Sequence, residues 1–199
     1  MLIRYILAVF IGSLLAGIIN IEFRKKDVSP IRRMASVIIN NLAMICICLL
    51  SVYYYGYTYR FIIYAMLSVN LLYISNCDIR EQIVSYETIT VSVICGLGVL
   101  IYNKDNVWWN YILSGIGFTV AFMLISRMTR SAVGIGDAFI VGVIGLYLGF
   151  FHTLAVVISA LLLGGIISII LMLLKKVTRQ TPLPFAPFLT AGFVVSILI

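Results

Sequence analysis

Charge is what this sequence has least of. Of its 199 residues only 11% are charged, with seven acids and one histidine. A soluble domain is about 25% charged. The apolar fraction is 63% and the mean hydropathy +1.15. A soluble fold of this size has no way to bury so much apolar surface, so the soluble classes are excluded. Cysteine is sparse too. Cys46 and Cys48 lie inside an apolar run, and Cys77 and Cys95 stand alone. A zinc tetrad needs close pairs of Cys or His ligands, so no metal is expected. All four cysteines read as buried thiols in a compartment that need not form disulfides. The net charge of +7 could indicate nucleic acid. Here the basic residues sit in short loops between apolar runs, which is how membrane proteins set their orientation. No nucleic-acid partner is expected.

What the chain does have is apolar sequence in blocks. Eight runs stand out, at 2–21, 35–55, 61–77, 88–102, 109–126, 138–151, 153–174 and 185–199. A helical span needs about 20 apolar residues. The runs at 88–102, 138–151 and 185–199 are short, and must borrow flanking residues, tilt, or meet thinned lipid. The first run reads as a span rather than a signal peptide, because the basic cluster follows it. The expectation is an all-α polytopic membrane protein with about eight transmembrane helices. It forms one integral membrane domain over residues 1–199, with lipid around it.

Lysine and arginine give the orientation. Alternate loops hold Arg24, Lys25, Lys26, Arg32, Arg33, Arg80, Arg127, Arg130, Lys175, Lys176 and Arg179. The other set, with the N-terminus, holds only Arg4, Arg60 and Lys104. Positive residues stay inside. The first set is therefore cytoplasmic, and both termini face out. Tyr53, Tyr54, Tyr55, Trp108 and Trp109 gather at span ends, as an interfacial belt does.

The acids are then informative. Asp105 falls in an outer loop, Glu22 and Asp27 flank the first basic loop, and Glu81 and Glu87 read as solvated. Asp78 and Asp137 lie hard against apolar sequence at the cytoplasmic edge of a span, in "LLYISNCDIREQIV" and "VGIGDAFIVG". Ionisable groups at membrane depth are costly and point to function, although loop acids at headgroup level occupy the same kind of position. Gly134 and Gly136 precede Asp137 directly. Glycine allows unusual conformations and close backbone approach. A glycine-rich loop beside a catalytic acid could hold a peptide as an extended strand. Glycine is also common in membrane helices for packing alone, and "GIGF" at 115–118 has the same two glycines without an acid.

Four stretches, taken in order, resemble one family. They are "FIGSLLAGIINIEFR" at 10–24, "CDIREQIVS" at 77–85, "GIGDAFIVGVIGLYLG" at 134–149 and "TPLPFAPFLTAG" at 181–192. Together they resemble the type IV prepilin peptidases, intramembrane aspartic proteases with a GxGD motif. The resemblance implies that Asp78 and Asp137 are the catalytic pair. It also implies cleavage of the short basic leader of pilin-like precursors at the cytoplasmic face of the inner membrane. Gly134 and Gly136 would then serve the substrate groove, and the proline-rich lead-in with Pro182, Pro184 and Pro187 would help line it. Glu81 would act there as an acidic counterweight for a basic leader.

The chain departs from the larger members of that family. Their cytoplasmic zinc domain with two Cys-x-x-Cys pairs is absent after the first span, where only about a dozen residues stand. Ala138 replaces the lysine that often follows the second aspartate. No cofactor is expected for peptidase chemistry. S-adenosylmethionine would be needed only if the N-methyltransferase activity common in the family were retained.

An aspartic mechanism needs one carboxylate to take a proton from water and a protonated partner to support the oxyanion. Asp137 opens a helix and Asp78 closes one. The helix dipole would thus make Asp137 the base and Asp78 the acid, with Arg80 opposing that assignment. His152 reads as an interfacial histidine near the outer end of a span. Ser13 lies mid-span without a His or Lys partner, so it is no nucleophile. Two other classes stay open. One is a small proton- or cation-coupled transporter using Asp78 and Asp137. The other is a non-catalytic scaffold for membrane partners.

Overall fold

The computed structural model describes residues 2–24, 30–82, 84–102, 107–128, 134–175 and 183–198. Pro182, Asp27, Asp105 and the basic residues Lys25, Lys26, Lys104, Arg130, Lys176 and Arg179 lie outside the described residues, as do the side chains of Glu22, Arg24, Arg32 and Arg33. Every element among the described residues is helical. In chain order they are α1 (Leu2–Arg24), α2 (Pro30–Tyr55), α3 (Tyr59–Glu81), α4 (Tyr86–Tyr102), α5 (Trp108–Met128), α6 (Ile135–Leu173) and α7 (Ala186–Ile197). Helices satisfy all backbone groups internally, which lipid demands. Five of them (α1, α2, α3, α5 and α6) are long and apolar enough to cross a membrane. The protein is thus an all-α, multi-pass membrane protein.

Among the described residues seven helices stand where eight runs were expected, and Gly149 explains the difference. It has φ 75 and ψ −177 and breaks α6 in two. A straight helix of 39 residues would be about 58 Å long, nearly twice a hydrocarbon core of about 30 Å. The arms at 135–148 and 150–173 correspond to the two expected runs. A side chain at Gly149 would be strained at this positive φ, and its Cβ would lie 2.7 Å from the Asn110 side-chain nitrogen. Thr153 caps the break by donating to the Gly149 carbonyl at 2.6 Å.

The contacts divide the chain into two compact units, Met1–Tyr73 and Ile74–Ile197. In the first, α1 packs on α2. Gly12 lets the backbones close: a Cβ there would lie 3.0 Å from the Ile45 Cα. Buried Asn40 donates across the pair to the Asn20 side-chain oxygen at 3.1 Å, the kind of polar contact that joins helices in lipid. Ser13 donates to the Phe10 carbonyl of its own helix at 2.9 Å.

The second unit gathers around α6, which packs against α4, α5 and α7. Small residues make the α5 interface. A Cβ on Gly145 would lie 2.9 Å from the Gly115 amide nitrogen, so the first glycine of "GIGF" serves helix packing. Tyr147 is buried and donates to the Ser92 carbonyl of α4 at 3.1 Å. Gly192 of α7 sits against Val156 and Ala160 of the second α6 arm. This packing holds α6, whose first turn carries Asp137, against its three neighbours.

Candidate active site

Asp78 lies in the last turn of α3 and is only 7% exposed. The helix stops just beyond it. Gln82 adopts φ 52, and its amide donates to the Asp78 carbonyl at 3.0 Å. Glycine usually takes this left-handed position at a helix end. The Asp78 side chain reaches away from its own helix: its Oδ2 accepts the Ala186 N–H at 3.0 Å. Ala186 opens α7, and the first N–H groups of a helix have no partner within it. Asp78 therefore caps a second helix. One turn along, the buried hydroxyls of Ser75 and Thr190 join the same two helices at 2.6 Å.

Asp137 is the third residue of α6. Its amide donates to the Gly134 carbonyl at 3.1 Å, and Gly134 N–H donates to Asp137 Oδ2 at 3.2 Å. This reciprocal pair holds the carboxyl over the helix start, where the dipole favours negative charge. The glycines act here through space rather than through unusual dihedrals. Gly134 has φ −64 and ψ 143, which any residue can adopt. A Cβ on Gly134 would lie 3.1 Å from the Asp137 carboxylate oxygen, and one on Gly136 would lie 3.0 Å from a Val84 methyl. The missing side chains leave room for the acid and for the turn leading into α4. That turn is tied down by Ser85, whose hydroxyl bonds the Thr88 hydroxyl at 2.6 Å.

The two aspartates line one cavity of about 250 Å³. Gly134, Ile135, Gly136 and Phe139 of the α6 start form one side. Gln82, Val84, Tyr86 and Ile89 form the other. Tyr86 and Phe139 meet edge to face, with ring centroids 6.5 Å apart. A water occupies about 30 Å³ in the liquid, so the space suits a few waters or a short peptide stretch. Two carboxyls in one such space titrate as a coupled pair.

Of the residues expected at the site, Asp78, Asp137, Gly134 and Gly136 meet in this cavity. Glu81 is exposed at the end of α3 and is not part of the lining. Pro184 and Pro187 flank the Phe185–Ala186 step that meets Asp78, without lining the cavity. His152 lies past Gly149, on the second α6 arm. Cys48 and Cys77 are buried, Cys46 is exposed, and all four cysteines are free. Among the described residues no three His, Cys, Asp or Glu side chains group to hold a metal.

Sequence reasoning missed Gln82, Val84, Tyr86, Ile89, Phe139 and Ala186. The first four follow Asp78 within about a dozen residues, so a turn returning from its helix was the available signal. Nothing local marks Ala186.

The fold and cavity define a multi-pass helical membrane protein with a paired-carboxyl pocket. The chain belongs to the type IV leader peptidase family, whose sequence model matches residues 65–169 and so includes both aspartates. It is 29% identical over 91 residues to a prepilin leader peptidase/N-methyltransferase of Bacillus subtilis, covering 46% of this chain and 37% of that protein. It is 26% identical over 158 residues to a prepilin leader peptidase/N-methyltransferase of Xanthomonas campestris, covering 75% of this chain and 54% of that protein. The chain thus spans about half or less of the length of these curated relatives. No solved structure matches it significantly.

Proposed function

We propose that this protein is a membrane-embedded aspartic endopeptidase that removes the short basic leader of pilin-like precursors. The single observation that carries this reading is the convergence of Asp78 and Asp137 on one cavity. One carboxylate takes a proton from a water as its oxygen adds to the scissile carbonyl. The other, protonated, donates to the oxyanion. Collapse of the tetrahedral species breaks the C–N bond, the leaving amine gains a proton, and the pair again shares one. The apolar and aromatic walls from Val84, Tyr86, Ile89 and Phe139 suit the side chains of an extended peptide.

Placement at the cytoplasmic face of the inner membrane, with both termini outside, rests on the distribution of lysine and arginine. Both acids sit at helix ends, in the last turn of α3 and the first turn of α6. A proton- or cation-coupled carrier uses acids nearer mid-membrane, so this position favours the peptidase. S-adenosylmethionine chemistry is not part of the proposal.

The test is direct. Purified protein in lipid is incubated with a pilin-like precursor and the products are weighed. Cleavage after the leader is expected from the native protein and from neither Asp78→Asn nor Asp137→Asn. Undiminished cutting by both variants would defeat the proposal.

A further inference from the structure

We propose that Ser75 and Thr190 are positioning residues for Asp78; this rests on the peptidase reading above. Asp78 reaches the start of α7 through backbone hydrogen bonds, with Ala186 N–H donating to Oδ2 at 3.0 Å and Phe185 beside it. These bonds survive only while α7 keeps its distance and rotation relative to the end of α3. The second rung between the same helices is the hydroxyl pair Ser75 and Thr190, at 2.6 Å.

The spacing of the rungs gives them a common function. Ser75 lies three residues before Asp78, and Thr190 four residues after Ala186. Residues three and four apart share a helix face. The two rungs therefore lie one above the other on antiparallel helices. All four residues are buried, with exposures of 5% for Ser75, 7% for Asp78, 0% for Ala186 and 8% for Thr190. Thr190 also donates to the Ala186 carbonyl at 3.0 Å. A hydroxyl has one proton, so Ser75 is then the donor to Thr190. Thr190 thus grips the very residue whose N–H meets the carboxylate. The shorter partner is α7: it has 12 residues, and residues 183–185 before it are not helical. The pair ties the first turns of α7 to α3.

The test uses the full-length protein in lipid. Thr190→Val keeps the branched shape and removes the hydroxyl. Misplacing a reacting group by about 1 Å can cost on the order of a hundredfold in rate. A fall in kcat of about ten- to a hundredfold is expected, with KM within about twofold. Thr190→Ser should restore kcat, because it returns the hydroxyl. Ser75→Ala should match Thr190→Val, and the double variant should be no worse than either alone, as for two residues acting as one unit. Ser196→Ala is the control. Ser196 is a fully buried hydroxyl on the same helix that donates to the Phe193 carbonyl of its own helix, at 2.7 Å, and kcat should hold there.

Hydrogen exchange supplies a readout that does not depend on activity. Amides of the first α7 turn should exchange faster in Thr190→Val, with those of α5 unchanged. Equal losses in Ser196→Ala, no recovery in Thr190→Ser, or unchanged α7 exchange would overturn the positioning role. Failure of the native protein to cut any pilin-like precursor would overturn the peptidase reading instead, while the exchange measurement would still judge the rung.

Discussion

The Asp78 carboxylate accepts the backbone N–H of Ala186 at 3.0 Å, across 108 positions of sequence. An acid that closes one helix thereby caps the start of another. This alters the expectation drawn from helix dipoles alone. Asp137 does open α6, as expected. Asp78, however, faces the positive end of α7 as well as the negative end of α3. Both carboxyls of the pair meet a helix N-terminus, and the dipole argument no longer separates acid from base.

The first prediction separates the chemical role of Asp78 from its capping role. In Asp78→Asn the side-chain oxygen can still accept the Ala186 N–H, so the fold should persist while cleavage is lost. In Asp78→Ala the buried amide loses its acceptor, at a cost of about 1–3 kcal/mol. Thermal unfolding in detergent should place the midpoint of the Ala variant clearly below that of the Asn variant. Coincident midpoints would mean that the cap contributes nothing.

The second prediction sets two glycines of α6 against each other. Gly145→Ala drives a Cβ to 2.9 Å from the α5 backbone at Gly115. Overpacking of this kind costs about 1–3 kcal/mol, so stability should fall. Gly134→Ala meets the Asp137 carboxylate most closely, at 3.1 Å, in a conformation alanine tolerates. Stability should hold and kcat should drop as the acid is displaced. Kinetics and unfolding on the same preparations check both halves. A Gly134→Ala protein with native kcat would show that the acid adjusts freely.

Gln82 supplies the third. Its φ of 52 is a left-handed conformation that costs a side-chain-bearing residue about 1–2 kcal/mol. Glycine would avoid that cost and give back part of it in chain entropy. Gln82→Gly should therefore stabilise the protein by about 0.5–1 kcal/mol. The same side chain lines the cavity beside Asp78, where strain is often kept for function. Slower cleavage together with a higher unfolding midpoint is the expected pattern. Faster or equal cleavage would remove Gln82 from the site.

Much of this was readable without coordinates, because lipid enforces simple rules. Apolar run length marked every helix, and one glycine, Gly149, turned two expected runs into arms of one broken helix. Asp78 and Asp137 stood out because acids are rare beside apolar sequence. What escaped was tertiary. The Asp78–Ala186 bond joins Asp78 to a residue with no local signature. Val84 and Tyr86 look like ordinary turn and helix-start residues until the α6 start is packed against them. Conversely, Glu81 is assigned to the groove because it follows Asp78 closely in sequence, and the prolines because their stretch resembles the family's lead-in to the last span. Helix geometry turns Glu81 outward, one position before the wall resumes at Gln82.

The last prediction concerns chemistry that should prove dispensable. Hydrolysis by two carboxyls and water requires no thiol, and a cysteine nucleophile needs a basic partner to form its thiolate. Changing Cys46, Cys48, Cys77 and Cys95 together to serine should leave kcat within about threefold, given that the reacting groups keep their places. Stability should fall, because Cys48 and Cys77 are buried and a hydroxyl there must find a partner. Chelators should leave cleavage intact for the same chemical reason. Thiol reagents need more care. Cys77 adjoins Asp78 in the last turns of α3, so a bulky adduct could distort the site although the thiol takes no part. The four-serine protein resolves this: it should cut, and it should resist those reagents. A folded four-serine protein that cannot cut, beside Asp78→Asn and Asp137→Asn proteins that can, would show that the carboxyl pair is not the catalytic machinery.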